Sequence, residues 1–159
     1  MLSFKKIIYA LSFLVSACGF SPIYSNSVSY ELTKQINIQE PKTQDEFILY
    51  SYLINRFDDT DDKYILNYGI STSKEDRALN FEGTAHRVEI SGYVLFTLKD
   101  KETGAEIISD REEMYLSYSN SGSTAAILNA EKTTNKQLIT LLAEKVADRI
   151  DLAFIEKGL

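Results

Sequence analysis

Hydrophobic and polar residues alternate with two different periods along this chain, and these periods predict six elements. A period of two, typical of half-buried strands, runs through residues 28–38, 64–72, 88–98 and the segment that follows a turn at 99–104. Spacings of three and four, typical of amphipathic helices, run through residues 44–57 and again from about residue 124. The order β-α-β-β-β-α predicts an α+β fold in which two helices pack on one face of a four-stranded sheet.

Local signals refine these elements. Thr43 and Glu46 have the spacing of a capping box, which predicts the start of the first helix. Residues 71–84 are polar and contain Gly83, so we interpret them as a long connection. The strand after the turn carries apolar residues in both phases, and we expect a bulge near Asp110.

The final helix has the longest apolar stripe in the chain and is expected to supply the main part of the core. A length of about 30 residues would give it about 45 Å, enough to cross a four-stranded sheet. Leu141 belongs to the predicted stripe and is therefore expected to be buried. The stripe consists of Ile127, Ala130, Leu138, Leu141, Leu142, Val146, Ile150, Ala153 and Phe154.

The N-terminus combines cations, an apolar run, small residues and a cysteine. Lys5 and Lys6 precede a short apolar run, and the small residues Ser16 and Ala17 stand directly before Cys18, the only cysteine. This order is typical of a secretory signal, and the cysteine directly after it resembles the lipobox of bacterial lipoproteins. The run is too short to span a bilayer, which needs about 20 residues. We therefore expect residues 1–17 to be a cleaved signal peptide, Cys18 to carry the lipid, residues 18–27 to form a tether, and residues 28–159 to form one domain.

Composition excludes several classes of function. Without the two lysines of residues 1–17, the remaining chain has 15 basic and 23 acidic residues, a formal charge of −8. Such acidity and the absence of a long basic run argue against nucleic acid as a partner. With Cys18 acylated, no thiol is left for a disulfide, a metal site or a nucleophile.

The residues for the common kinds of catalysis are also missing. His86 is the only histidine, so neither a typical zinc site nor a Ser-His-Asp arrangement can be assembled unless His86 acts alone. The acidic run at 58–62 lacks the glycine and distal glutamate of a calcium loop and is better interpreted as a solvated connector. No glycine-rich phosphate loop occurs. We expect neither enzymatic activity nor a cofactor or metal.

The outward face of the sheet is the remaining candidate for a functional surface. Arg87, Tyr93, Arg111 and Tyr115 are expected to share this face, with Lys99 and Lys101 at the adjacent hairpin tip. Cations interspersed with tyrosines suit an anionic amphiphile or a partner protein, since Tyr and Arg are enriched at interface centres. An ordinary solvated sheet face is the competing interpretation.

Several short motifs along the chain form a recognisable set. They are the segment Cys-Gly-Phe-Ser-Pro-Ile-Tyr at 18–24, residues 117–120, Ala130 with Glu131, and the helical run at 138–150. The first resembles the start of the mature LptE-like lipoproteins of the lipopolysaccharide (LPS) assembly family, in particular its alphaproteobacterial members, and the others resemble later motifs of that family. The sequence departs from the pattern where Ser119 separates Tyr118 from Asn120, and at residues 133–135.

This resemblance implies an outer-membrane lipoprotein on the periplasmic side of the membrane. It implies a non-catalytic protein that plugs and stabilises the LPS-translocating β-barrel LptD and assists LPS delivery, so that LptD and LPS are the expected partners. Gly19 after the acylated cysteine agrees with sorting to the outer membrane. Two other classes stay open: a periplasmic carrier or sensor lipoprotein with a small apolar ligand, and a hydrolase with an unrecognised site.

Overall fold

The computed structural model describes residues 35–57, 63–79 and 85–158. Six elements follow one another in the order β-α-β-β-β-α, which confirms the predicted α+β class. Their bounds are β1 Ile36–Ile38, α1 Gln44–Arg56, β2 Tyr64–Leu79, β3 Ala85–Asp100, β4 Glu106–Ser119 and α2 Thr124–Lys157. None of the helices in this part of the chain combines the length and apolar character that a membrane-spanning helix needs.

The four strands form one mixed sheet in the order β1-β2-β3-β4. Strand β1 is short and runs parallel to β2, pairing Ile36 with Tyr64 and Ile38 with Leu66. Strands β2, β3 and β4 are antiparallel neighbours and form a long meander. The predicted strand at 28–38 is therefore present at its C-terminal end, and residues 28–34 lie outside the described part.

One face of the sheet carries the core. The even-numbered residues of β2 and β3 point towards the helices, and Tyr64, Leu66, Val94, Phe96 and Leu98 are almost completely buried there. Strand β4 contributes Tyr118, with Met114 and Leu116 packed at the margin. The odd-numbered residues point away from both helices, so the opposite face is open to solvent in the described structure.

Helix α1 begins as the sequence predicts. The Thr43 hydroxyl accepts a hydrogen bond from the Glu46 backbone N–H, and the Glu46 carboxylate accepts one from the Thr43 N–H, which completes a capping box. Leu49 and Leu53 are the buried residues of this helix. Arg56, at its last turn, donates to Asp151 of α2 at 2.6 Å and ties the two helices together.

Helix α2 is 34 residues long, and its N-cap is Ser123. It packs on β3, β4 and α1, and its buried residues include Leu138, Leu142, Val146 and Ile150. The prediction for Leu141 is wrong, because 36% of this residue is exposed while Ile139 and Ala143 are buried instead. The buried stripe widens where α2 contacts both α1 and the sheet, and Leu141 lies just outside it.

The interpretation of residues 71–84 as a connection is wrong for its first nine residues. Strand β2 continues to Leu79 and stays paired with β3 beyond Thr72. Residues 73–77 are exposed whether they are odd or even, although their partners Val88 and Ile90 in β3 are buried, and this segment of β2 is named the polar arm below. Hydrophobic alternation cannot detect a strand that buries neither face.

The predicted irregularity of β4 is real but misplaced. The register is continuous through Asp110, and it shifts between Leu98 and Lys99 of the partner strand, opposite residues 106–108. An irregularity next to a hairpin turn is common, because the turn closes there.

Candidate functional site

The open face of the sheet brings three of the six predicted surface residues together. Tyr93 of β3 is paired with Glu113 of β4, and Arg111 and Tyr115 occupy the neighbouring outward positions of β4. All of these residues have odd numbers and so project from the same face. Tyr93, Arg111 and Tyr115 are named the aromatic cluster below.

The cluster is held by a cation–π contact. The guanidinium carbon of Arg111 lies 4.1 Å from the centroid of the Tyr93 ring, and a guanidinium nitrogen donates to Glu113 at 3.0 Å. Tyr115 has no such cover, and 68% of it is exposed. Leu95, opposite Arg111, is also half exposed, so the cluster combines an apolar surface with a fixed cation.

A shallow depression of about 540 Å³ borders the cluster. Its floor includes Ser71, Ser73 and Ser91, and the hydroxyls of Ser73 and Ser91 are 2.8 Å apart. Arg77 and Glu89 form the far wall, where two guanidinium nitrogens donate to one carboxylate oxygen at 2.9 and 3.1 Å. Small hydroxyl side chains between two arginine–carboxylate pairs leave room for a partner to approach the backbone.

The other three predicted residues lie away from this cluster. Arg87 is exposed on the same face but six residues along β3 from Tyr93, about 20 Å at strand spacing. Lys99 is six residues from Tyr93 in the other direction and pairs with Glu106. The six residues therefore form a line along one face, and only the aromatic cluster is a compact site.

Lys101 lies in the turn between β3 and β4, which has the predicted position. The Asp100 carboxylate accepts hydrogen bonds from the backbone N–H groups of Glu102 and Thr103 and from the Thr103 hydroxyl. These bonds hold the pKa of Asp100 below its usual value. The Lys101 N–H donates to the Lys63 carbonyl, which fixes the turn against the start of β2.

Arg77, Glu89, Leu95 and Glu113 are outward residues of this surface that sequence reasoning did not assign to the site. Arg77 was missed because its segment was interpreted as a connection. Once β2 is extended to Leu79, its odd residues fall on the outward face beside β3. A signal that could have found it is the length of β3, since a long antiparallel strand needs a partner of similar length.

The inner side of the arm carries a polar network that links sheet and helix. Glu131 of α2 accepts from the Lys74 ammonium at 2.8 Å and from the Tyr118 hydroxyl at 3.1 Å. The bond from Lys74 lowers the pKa of Glu131, while burial, with a smaller effect from that carboxylate, raises the pKa of Tyr118. Asp45 accepts from Thr72 and Asn135 and joins α1 to the same region.

The remaining sequence predictions have the following places. Cys18 and the acidic run at 58–62 lie outside the described residues, and the backbone of His86 lies at the start of β3. Glu112 and Glu113 point to opposite faces as expected, because Glu112 pairs with Lys145 of α2 and Glu113 with Arg111. Within the described residues, no group of three or more His, Cys, Asp or Glu side chains is placed to hold a metal ion.

Comparison of the fold with known proteins gives a consistent group. A minor lipoprotein from Acinetobacter baumannii superposes with a TM-score of 0.58 and 22% identity, over 76% of this chain and 92% of the other. Rare lipoprotein B from Shewanella oneidensis superposes with a TM-score of 0.63 and 13% identity, over 79% of this chain and 98% of the other. An uncharacterized lipoprotein B from Nitrosomonas europaea superposes with a TM-score of 0.61 and 16% identity, over 78% of this chain and 85% of the other.

No protein-family model matches the chain, and no curated protein sequence matches it significantly. At the identities of the solved structures, the similarity establishes the fold. The chain therefore shares its fold with lipoproteins of Gram-negative bacteria.

Proposed function

We propose that this protein is a lipid-anchored, non-catalytic lipoprotein of the outer membrane, held on the periplasmic side through Cys18. In this proposal it occupies and stabilises the lumen of the LPS-translocating β-barrel LptD and assists LPS assembly. The signal-like N-terminus and the motifs at 18–24 and 138–150 support the proposal, as does a fold shared with proteins that are themselves named lipoproteins.

The open sheet face is the main observation that favours a protein partner over a small ligand. A domain with both helices on one side of the sheet leaves the other side uncovered, and here that side carries Tyr93, Arg111 and Tyr115 in one cluster. Interfaces are enriched in Tyr and Arg at their centres. The line of Arg87, the cluster and Lys99 spans about 40 Å at strand spacing, which suits a long, curved contact surface rather than a small-ligand pocket.

The alternative of a carrier for a small apolar ligand has less support. Such a ligand would need space between the helices and the sheet. That layer is filled by side chains with no exposed surface, among them Leu53, Leu66, Val94, Leu142 and Phe154. The larger described groove, beside α1 and α2, opens sideways and has a mixed polar lining.

Co-purification with LptD tests the proposed partner. We would express the full chain with a tag, isolate outer membranes, and measure the LptD recovered with the wild type, Arg111→Glu, Arg87→Glu and the control Lys42→Glu. Lys42 precedes α1, on the helical side of the molecule, so its reversal makes the same charge change away from the open face. Arg111→Glu should lower LptD recovery several-fold through like-charge repulsion, and Lys42→Glu should not.

Two results would contradict the proposal. If no LptD accompanies the wild-type protein, the assignment of the partner is wrong. If LptD recovery is equal for Arg111→Glu, Arg87→Glu and wild type while circular dichroism shows an intact fold, the contact surface lies elsewhere. A further variant, Cys18→Ala, tests the anchor: it should leave an uncleaved or soluble species, and wild-type mass and membrane attachment would exclude acylation at Cys18.

A further inference from the structure

The β1 side of strand β2 presents an unpaired row of backbone groups. The Gln39 N–H donates to the Leu66 carbonyl at 3.0 Å, and β1 then stops before Pro41, which has no N–H to continue the ladder. Backbone groups of a strand alternate between its two sides, so Ile70, Thr72 and Lys74 direct N–H and C=O to the same side as Leu66. Among the described residues, no backbone group pairs with β2 on this side beyond Leu66.

The other edge of the sheet is protected in the usual way. Three basic side chains of α2 lie along β4: Lys145 reaches Glu112 and the Glu113 carbonyl, Arg149 pairs with Asp110, and Lys157 approaches the Glu106 carbonyl. Cations along an edge strand discourage pairing with another chain. The contrast between the two edges indicates that β2, and not β4, is available for strand addition.

A groove of about 770 Å³ lies directly beside the free edge of β2. Ile48 of α1, Thr72 and Lys74 of β2, and Leu128 of α2 contribute to its lining. Leu128 stands 18 residues before the buried Val146, which is five helical turns, so it lies on the core-facing side of α2. It is nevertheless 61% exposed, because α1 begins opposite Asn135, where Asp45 accepts its bond, and so does not cover this part of α2.

The rim of the groove is basic. Lys132 and Lys136 follow Leu128 at intervals of one helical turn, and neither forms an ion pair with another described residue. The two carboxylates nearby are already engaged, Glu131 by Lys74 and Tyr118, and Asp45 by Thr72 and Asn135. An acidic side chain would therefore complement the rim.

We propose that this edge and groove bind an extended segment of another polypeptide as an added strand next to β2. Backbone hydrogen bonds with Ile70, Thr72 and Lys74 would supply affinity, alternate apolar side chains would enter the groove against Ile48 and Leu128, and an acidic residue would meet Lys132 or Lys136. Acyl chains have no donors or acceptors, and only an extended polypeptide repeats N–H and C=O at the spacing of a strand, so the edge favours a polypeptide. The proposal is independent of the function proposed above.

A pair of substitutions at one position isolates the backbone contribution. Lys74→Pro removes an edge-facing N–H together with the side chain, whereas Lys74→Ala removes only the side chain and its ion pair with Glu131. Proline is tolerated on an edge strand when its N–H side faces solvent. The probe is a fluorescent ten-residue peptide, blocked at both ends, in which valine alternates with threonine and glutamate.

Fluorescence polarisation with the full chain in detergent gives the readout. Lys74→Ala should bind the peptide within about twofold of wild type, and Lys74→Pro should bind at least tenfold more weakly. The same peptide with alternate backbone amides N-methylated should lose binding to the wild-type protein by a similar factor. This second comparison decides the question if circular dichroism shows that Lys74→Pro does not fold.

Three results would overturn the proposal. One is equal affinity of Lys74→Pro and Lys74→Ala, or of the methylated and unmethylated peptides. Another is a full chain that binds no peptide. The third is a dimer that Lys74→Pro abolishes in light scattering without peptide, which would assign the edge to a second copy of this chain.

Discussion

The Arg111 guanidinium stacks on the Tyr93 ring at 4.1 Å on a face of the sheet that no helix covers. Both side chains are at the surface, where a cation–π pair contributes about 0.5–1 kcal/mol. We expect a double-mutant cycle of Tyr93→Leu and Arg111→Ala to give a coupling energy of this size in urea denaturation. A coupling above about 2 kcal/mol would mean that the pair holds the fold together, and the face would then be structural.

The helix core can be tested with two adjacent leucines. Leu142 is completely buried, so Leu142→Ala should lower the free energy of unfolding by about 2–5 kcal/mol. Leu141 is partly exposed and lies outside the core cluster, so Leu141→Ala should cost much less, about 1 kcal/mol or below. Equal shifts of the urea midpoint for the two variants would contradict the orientation of α2 described here.

Two glycines of the meander should respond in opposite directions. A Cβ at Gly92 would come within 3.2 Å of Leu138 and 3.3 Å of Leu142, so Gly92→Val should destabilise the fold by about 1–3 kcal/mol. A Cβ at Gly69 would meet no atom within 4 Å, and Gly69→Val should be neutral or stabilising because it restricts the unfolded chain. Thermal melts of both variants check this, and a destabilised Gly69→Val would show that the open face is packed.

Asp110 and Asp151 are both paired with arginines, but their contributions to the stability of the fold should depend on pH in opposite directions. The bond from Arg149 lowers the pKa of Asp110 below 3.8, so its stabilising effect is present above that pH and is lost as the pH falls through the lowered pKa. Burial raises the pKa of Asp151 above 3.8 despite its bond to Arg56. Ionised Asp151 therefore costs stability as the pH rises from 3.8 through the raised pKa.

Urea denaturation between pH 2.5 and about 7 separates the two effects. Compared with Asp110→Asn, the wild type should lose stability only as the pH falls below about 4. Compared with Asp151→Asn, the wild type should lose stability as the pH rises above about 4. Asn at position 151 can still accept the Arg56 bond, so the comparison isolates the charge. Parallel pH profiles for Asp151→Asn and the wild type would show that burial does not control this carboxylate.

The elements that bury an apolar face could be predicted from the sequence, and the others could not. The capping box at Thr43 and the alternation at Val94, Phe96 and Leu98 correspond directly to observed contacts. The polar arm of β2 was not predicted as a strand, because its residues are polar on both faces. Leu141 was wrongly predicted to be buried, because the apolar stripe of a helix does not show which of its residues a second helix will cover.

The candidate site shows the same division. Alternation placed Tyr93, Arg111 and Tyr115 on one face, since residues of like parity share a side of the sheet. It could not state that only these three would meet, because that depends on the register between β3 and β4. The free edge of β2 could not be predicted from the sequence, because the pattern of side chains does not show which backbone groups are unpaired.

The unequal length of the two helices has a consequence for how the molecule opens. Helix α2 extends for about 51 Å and α1 for about 20 Å, so one end of the sheet is supported by two helices and the polar arm by one. The amide protons of Ser73 and Glu75, which face β3, should therefore exchange through local openings before those of the strands beneath both helices, and the Lys74 amide, which pairs with no described backbone group, should exchange without any opening. The arm can change its shape against a binding partner while the rest of the domain stays folded.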